Sequence, residues 1–161
     1  MTVRRRPLPF AIRKSKIAGR GAFATRRIRK GQVVIEYIGE LITEKESDRR
    51  YPDDAKVKRH HTFLFQLDNG MVIDATYGGN ESRFLNHSCD PNCETFEEED
   101  RIFIQAMKNV QPGAELTYDY LFPRDRGDGP KEEALYPCHC GTRKCRGTIM
   151  EPRKRKRRKR K

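Results

Sequence analysis

Hydrophobic and polar positions in this chain change over short stretches, and the pattern predicts many brief strands and little helix. Residues 10–17 read as a strand that Gly19-Arg20-Gly21 breaks, and residues 22–28 as a second one closed by Lys30-Gly31. Residues 32–42, rich in β-branched Val33, Val34, Ile35, Ile38 and Ile42, read as one buried strand running into Gly39. Thr43-Glu44-Lys45-Glu46 matches a capping box, with Thr43 accepting from the amide of Glu46 while Glu46 reaches back; it predicts a short charged helix to about Tyr51. Residues 52–61 are polar and patternless and read as a mobile loop.

Residues 63–67 and 71–73 flank Asp68-Asn69-Gly70, where Asn-Gly supplies the positive backbone angles of a tight hairpin. Residues 101–107 place Ile102, Ile104 and Ala106 against polar partners, as a half-buried strand does, with the acidic stretch 94–100 as the hairpin connection before it. Pro112-Gly113 turns the chain into a strand over 115–118. Residues 123–137 read as a linker, followed by a cysteine module at 138–147. The fold class is mostly β with short helices.

Length and composition narrow the possibilities. The 161 residues suit one domain of ordinary size. Charged residues make up 36% of the chain and apolar ones 35%, yet the apolar residues cluster in runs, so the middle of the chain is expected to fold. No run approaches the roughly 18 apolar residues of a membrane span, and the N-terminal residues lack a signal-peptide core, so a soluble, intracellular protein is expected. Five cysteines, an odd number, favour metal binding or free thiols in a reducing compartment. Removing the nine consecutive basic residues 153–161 from the net charge of +12 leaves +3. That tail reads as a polybasic arm for nucleic acid or another polyanion, or as a nuclear-localisation patch.

Three constellations carry candidate chemistry. RFLNHSCDPNC at 83–93 combines an amide, an imidazole, a hydroxyl and two thiols with the turn formers Asp90-Pro91-Asn92; it is either a polar turn or a functional loop. Cys138, Cys140 and Cys145 form C-x-C-x4-C, three soft ligands suited to zinc. The fourth ligand must be His139 or a cysteine from elsewhere, either Cys89 or Cys93. ELTYDY at 115–120 puts Tyr118 and Tyr120 on one strand face, where core packing is the ordinary explanation. Gly19-Arg20-Gly21 with Ala24 satisfies G-x-G-x-x-A, but neither a helical pattern nor a βαβ unit follows, so a dinucleotide site is set aside. The usual hydrolase and phosphoryl-transfer motifs are absent from the sequence.

Taken in order, KSKIAGRGAFA, VIEYIGELI, RFLNHSCDPNC, ELTYDY and the terminal C-x-C-x4-C-x-G closely resemble the SET-domain protein lysine methyltransferases with their post-SET zinc segment. The resemblance covers residues 10–147 and implies a SET-type β-fold with knot-like C-terminal threading. It implies a catalytic domain over 10–122, a linker and zinc segment over 123–150, and a disordered basic tail over 151–161. S-adenosylmethionine and a target lysine would enter from opposite faces. Ala18, Gly19, Arg20, Phe63, Asn86, His87 and His139 would line the cofactor. Cys89, Cys138, Cys140 and Cys145 would hold structural zinc, leaving Cys93 spare.

Tyr120 matches the family's catalytic tyrosine and Tyr118 its product-specificity position, with Phe65 and Phe122 in the substrate channel. A tyrosine at 118 implies a preference for adding one or two methyls. Phe63 departs from the pattern, since many relatives carry a tyrosine there and its hydroxyl is missing. A cysteine-rich pre-SET segment is not expected before Phe10. The implied substrate is a histone or other basic DNA-associated protein, and the implied location nucleus, chromatin or nucleoid, otherwise cytoplasm. A non-catalytic nucleic-acid or chromatin-binding module and a small-molecule methyltransferase are the competing readings.

Overall fold

The computed structural model describes residues 7–52, 63–125 and 127–153. Apart from Pro52 and residues 151–153, the loop read at 52–61 and the tail read at 151–161 lie outside the described residues. Arg153 itself is anchored, donating twice to the Glu133 carboxylate at 2.8 Å.

Among the described residues, ten strands form three small sheets. In the first, β1 (Phe10–Lys14) and β2 (Arg20–Ala24) are antiparallel, β2 pairs with β10 (Glu115–Tyr118), and β10 pairs in parallel with β7 (Asn86–His87). The second has the order β3 (Val33–Tyr37), β9 (Arg101–Ala106), β8 (Cys93–Glu98), and the third β4 (Glu40–Thr43), β6 (Met71–Asp74), β5 (Leu64–Gln66). A 3-10 helix spans Glu81–Phe84. Two short α-helices, α1 (Glu44–Arg50) and α2 (Pro130–Leu135), complete the described elements. No described helix is long and apolar enough to cross a membrane.

Alternation in β9 turns Ile102, Ile104 and Ala106 inward, into one cluster with Ile28, Leu85 and Leu116, each 2% exposed or less. Burying each large aliphatic side chain contributes roughly 1.5–3 kcal/mol, so this layer dominates the stability of the small sheets.

Several boundaries differ from the pattern reading, each for a physical reason. Gly19, at φ 43°, makes the turn, whereas Arg20 and Gly21 already belong to β2. Residues 32–42 form two strands in different sheets, divided at Gly39. A Cβ on Gly39 would lie 2.5 Å from the Asp74 carbonyl oxygen, so the chain passes over β6 only without a side chain there. Thr43 Oγ1 accepts from the amide of Glu46 (3.2 Å), but the Glu46 carboxylate binds Arg49 and Arg50, so the reciprocal half of the box does not form.

In the Asp68-Asn69-Gly70 hairpin only Gly70 has positive φ (82°), and Gly70 N donates to Leu67 O (3.0 Å). The connection is therefore a type I turn with a glycine bulge. The turn with two positive angles lies instead at Glu99 (51°) and Asp100 (58°), because most of the acidic stretch 94–100 is strand β8. The expected linker contains α2, started by Pro130 and by Glu132, whose carboxylate accepts from Gly129 N at 2.7 Å.

Candidate active site

The parallel pairing of β7 with β10 sets Asn86 opposite Thr117 and His87 opposite Tyr118. The ladder continues with Ser88 N donating to Tyr118 O at 3.1 Å. Asn92 extends it by side chain: its Nδ2 donates to Glu115 O (2.8 Å), and its Oδ1 accepts from Thr117 N (3.0 Å). RFLNHSCDPNC is thus a rigid segment laid along ELTYDY, which excludes the plain-turn reading.

Asn86 Nδ2 faces three acceptors, the carbonyls of Ala18 (3.2 Å) and Arg20 (3.0 Å) and Glu115 Oε1 (2.8 Å). Ser15 Oγ donates to the same carboxylate oxygen at 2.7 Å. Glu115 comes this close because a Cβ at Gly21 would stand 2.1 Å from Oε1. The turn around Gly19 is thereby bound to β7 through one amide and one carboxylate. The sequence reading did not single out Glu115; its signal was a carboxylate two residues from an inward-facing strand position.

His87 is 4% exposed, its Nδ1 accepts from the backbone N–H of Tyr120 (3.1 Å), and its Nε2 lies 3.3 Å from Cys89 Sγ. Burial pushes its pKa down to about 4, with Asp119 opposing and Arg146 reinforcing the shift. The ring is therefore neutral at pH 7. Since Nδ1 is the acceptor, the proton sits on Nε2, facing the cysteine. Asp119 is fixed by two bonds from Arg146, at 2.6 and 2.8 Å; these hold its carboxyl below the ordinary range although burial acts the other way.

Beside this ladder lies an aromatic group. The rings of Tyr118 and Tyr120 are 4.8 Å apart, those of Tyr37 and Phe65 5.5 Å, and those of His87 and Tyr120 5.3 Å. Tyr120 Oη donates to Leu85 O at 2.9 Å. Burial pushes the phenols of Tyr37, Tyr118 and Tyr120 well above the ordinary range. Tyr37, 4% exposed, had no assigned role in the sequence, where VIEY read as strand core; a polar-tipped ring in a buried strand was its signal.

The other expected residues divide between two places. Phe63 packs on Phe84 (6.3 Å), and the Arg20 guanidinium lies 4.1 Å above Phe84, so Arg20 and Phe63 share one ring. Phe122 stacks on Tyr136 at 4.4 Å and exchanges backbone bonds with Ile149 and Glu151, which ties it to the C-terminal segment.

The Sγ atoms of Cys89, Cys138, Cys140 and Cys145 lie within 4.8 Å of one another. Four thiolates around zinc at about 2.3 Å would stand about 3.8 Å apart, and the Cys89 to Cys138 separation is 3.7 Å. The donor set and spacing fit zinc. Burial pushes the thiols of Cys89 and Cys138 up, whereas hydrogen bonds from Thr142 and backbone amides hold Cys140 down at about 6 against its own burial. His139 is exposed and Cys93 is buried in β8, both outside this group.

Comparison with known proteins agrees with this geometry. Residues 19–121 match the SET domain family. Histone-lysine N-methyltransferase trithorax of Drosophila melanogaster is 40% identical over 139 residues, 83% of this chain and 4% of the relative. Histone-lysine N-methyltransferase set1 of Dictyostelium discoideum is 39% identical over 150 residues, 91% of this chain and 10% of the relative. The H3 lysine-4 specific enzyme of Schizosaccharomyces pombe is 38% identical over 153 residues, 92% of this chain and 16% of the relative. The chain thus spans at most about a sixth of the length of these three relatives.

Proposed function

Because the chain belongs to the SET-domain family, we propose that it is an S-adenosylmethionine-dependent protein lysine N-methyltransferase acting on a histone or another basic, DNA-associated protein. The observation that supports this most is the register of β7 on β10, which sets Asn86 and His87 beside Tyr118 and Tyr120. Binding alone has no need of phenols aligned there.

The residues around Asn86 fit the ammonium of the cofactor's amino-acid end, since two carbonyls and a carboxylate gather there. Arg20, Phe84 and Phe63 supply an adjoining face, with Gly19 and His139 the further cofactor contacts in this reading. When bound, the cofactor supplies an electrophilic methyl group on a sulfonium centre.

A lysine amine with a pKa of about 10.4 is almost wholly protonated at neutral pH and has no lone pair for attack. Walls formed by Tyr37, Phe65 and Tyr118 exclude water from it, and desolvation favours its neutral form. The raised phenol pKa values keep all three tyrosines protonated, so they align the amine and do not act as its base; the ammonium gives its proton to solvent before the walls enclose it. Tyr120 Oη spends its hydrogen on Leu85 O, which leaves its lone pairs to accept from the amine and hold it in line.

In this reading the catalytic unit spans residues 10–122, with Phe122 at the channel mouth, and 123–150 is the zinc segment. Zinc held by the four cysteines would staple that segment to Cys89, two residues from His87. The basic tail holds the enzyme on chromatin or nucleoid. Mass spectrometry of histones incubated with the chain and S-adenosylmethionine tests the proposal: ε-N-methyllysine is expected. Methyl groups on other side chains, or only in the small-molecule fraction, would overturn it.

A further inference from the structure

Six of the described arginines are neutralised. Arg49, Arg50, Arg101, Arg124, Arg146 and Arg153 each meet a carboxylate within 2.8 Å. Other basic side chains have no carboxylate partner among the described residues, and one group of them comes from two segments far apart in the chain. The segments TRRIRKGQ at 25–32 and MKNVQP at 107–112 contain five basic residues and no acidic one.

The two segments are bound into a single platform. Ile28 and Val110 exchange backbone bonds at 3.0 and 2.9 Å, Gly31 N donates to Ala106 O at 2.7 Å, and Lys30 N donates to Asn109 Oδ1 at 3.1 Å. Ile28 is 0% exposed and Val110 3%, so they anchor the platform in the core. Arg27 and Arg29 flank inward-pointing Ile28 on extended backbone and therefore project outward together. Lys30 follows Arg29, its amide bond to Asn109 brings in the segment that carries Lys108, and Arg26 is braced by donating to Pro7 O at 3.0 Å. All five are exposed, and none forms an ion pair among the described residues. On the neighbouring strand, Glu94 accepts from Gln105 at 3.0 Å.

We propose that Arg26, Arg27, Arg29, Lys30 and Lys108 form a docking surface for the phosphate backbone of double-stranded DNA, built into the folded body and separate from the tail. Like charges held together on a rigid support repel one another, and a polyanion relieves that cost while releasing its counterions. The platform exposes no aromatic ring, which argues against single strands, whose bases need stacking surfaces. Met107, 38% exposed, is its one large exposed apolar side chain, too little to anchor in a lipid interface. The surface thus fits a duplex contacted through phosphates, without base readout.

The test uses the full chain with its tail intact and a variant carrying Arg27→Ala, Arg29→Ala, Lys30→Ala and Lys108→Ala. Anisotropy of a labelled duplex is titrated across about 50 to 300 mM salt, where each phosphate contact contributes about 0.9 to the log–log slope. The variant is expected to lose about 3 to 4 from that slope while keeping its unfolding midpoint and its transfer to a free peptide. A control with Lys45→Ala and Lys131→Ala is expected to keep the parent slope. An unchanged slope in the four-residue variant would overturn the proposal. So would the same loss of binding to anionic vesicles, or tighter binding of a single strand than of the duplex. The titration contains no cofactor, so its outcome is independent of whether the chain transfers methyl groups.

Discussion

The imidazole of His87 accepts a hydrogen bond at Nδ1 from the backbone amide of Tyr120, 3.1 Å away, while its other nitrogen faces Cys89 Sγ at 3.3 Å. One buried ring thus connects the phenol site to the cysteine cluster. Replacing it by alanine leaves the Tyr120 amide without its partner, at a cost of about 1–3 kcal/mol for an unsatisfied buried donor. His87→Ala is expected to lower the unfolding free energy measured in urea by that amount and to loosen metal retention as well. Loss of stability with metal affinity unchanged would break the connection.

The five cysteines are expected to separate into two classes. Cys89→Ser removes one of four converging sulfurs and should lower metal content below one per chain. Cys93→Ser, in the core of β8, should leave metal content unchanged and cost only stability. The ligands are thiolates, so acid competes with the metal: retention should be full at alkaline pH and be lost as pH falls and the sulfurs take up protons. Metal analysis after dialysis at stepped pH checks both points; loss of metal in the Cys93 variant alone would reverse the assignment.

Glu115 is predicted to act through Asn86. Its Oε1 accepts from Ser15 Oγ at 2.7 Å and from Asn86 Nδ2 at 2.8 Å. Glu115→Ala should raise the KM for S-adenosylmethionine about tenfold, the worth of roughly one charge-assisted hydrogen bond, with a smaller change in kcat. Glu115→Gln keeps an accepting oxygen and should recover part of the loss. Equal KM values in all three proteins would show that the carboxylate is only structural.

Gly39→Ala tests how the sheets are joined. The new Cβ would lie 2.5 Å from the Asp74 carbonyl oxygen, so β3 and β6 must separate. A loss of about 1–3 kcal/mol in denaturant unfolding is expected, as for other overpacked sites. A neutral result would mean that the crossing is loose.

Much of this was legible in the chain, through particular residues. The alternation of Ile102, Ile104 and Ala106 identified β9, and Thr43 identified the start of α1, because both signals are local. The division of 32–42 at Gly39 was not, since what forbids a side chain there is the backbone of Asp74, 35 positions away. The turn at Glu99 and Asp100 was hidden by residue type, since positive φ is ordinarily assigned to Asn-Gly. At the site, NHSC and YDY were visible as motifs. Their parallel pairing, the role of Glu115 and the position of Tyr37 depend on long-range register, which spacing alone does not encode.

The most direct test of the central claim compares transfer of labelled methyl from S-adenosylmethionine to histones by the full chain and by Tyr120→Phe, with cofactor affinity measured in parallel. Removing one preorganised polar group at a reacting centre costs about 100-fold or more in kcat, so the variant should fall by at least that factor while still binding cofactor. No transfer by the parent chain to any protein, or undiminished transfer by the variant, would contradict it.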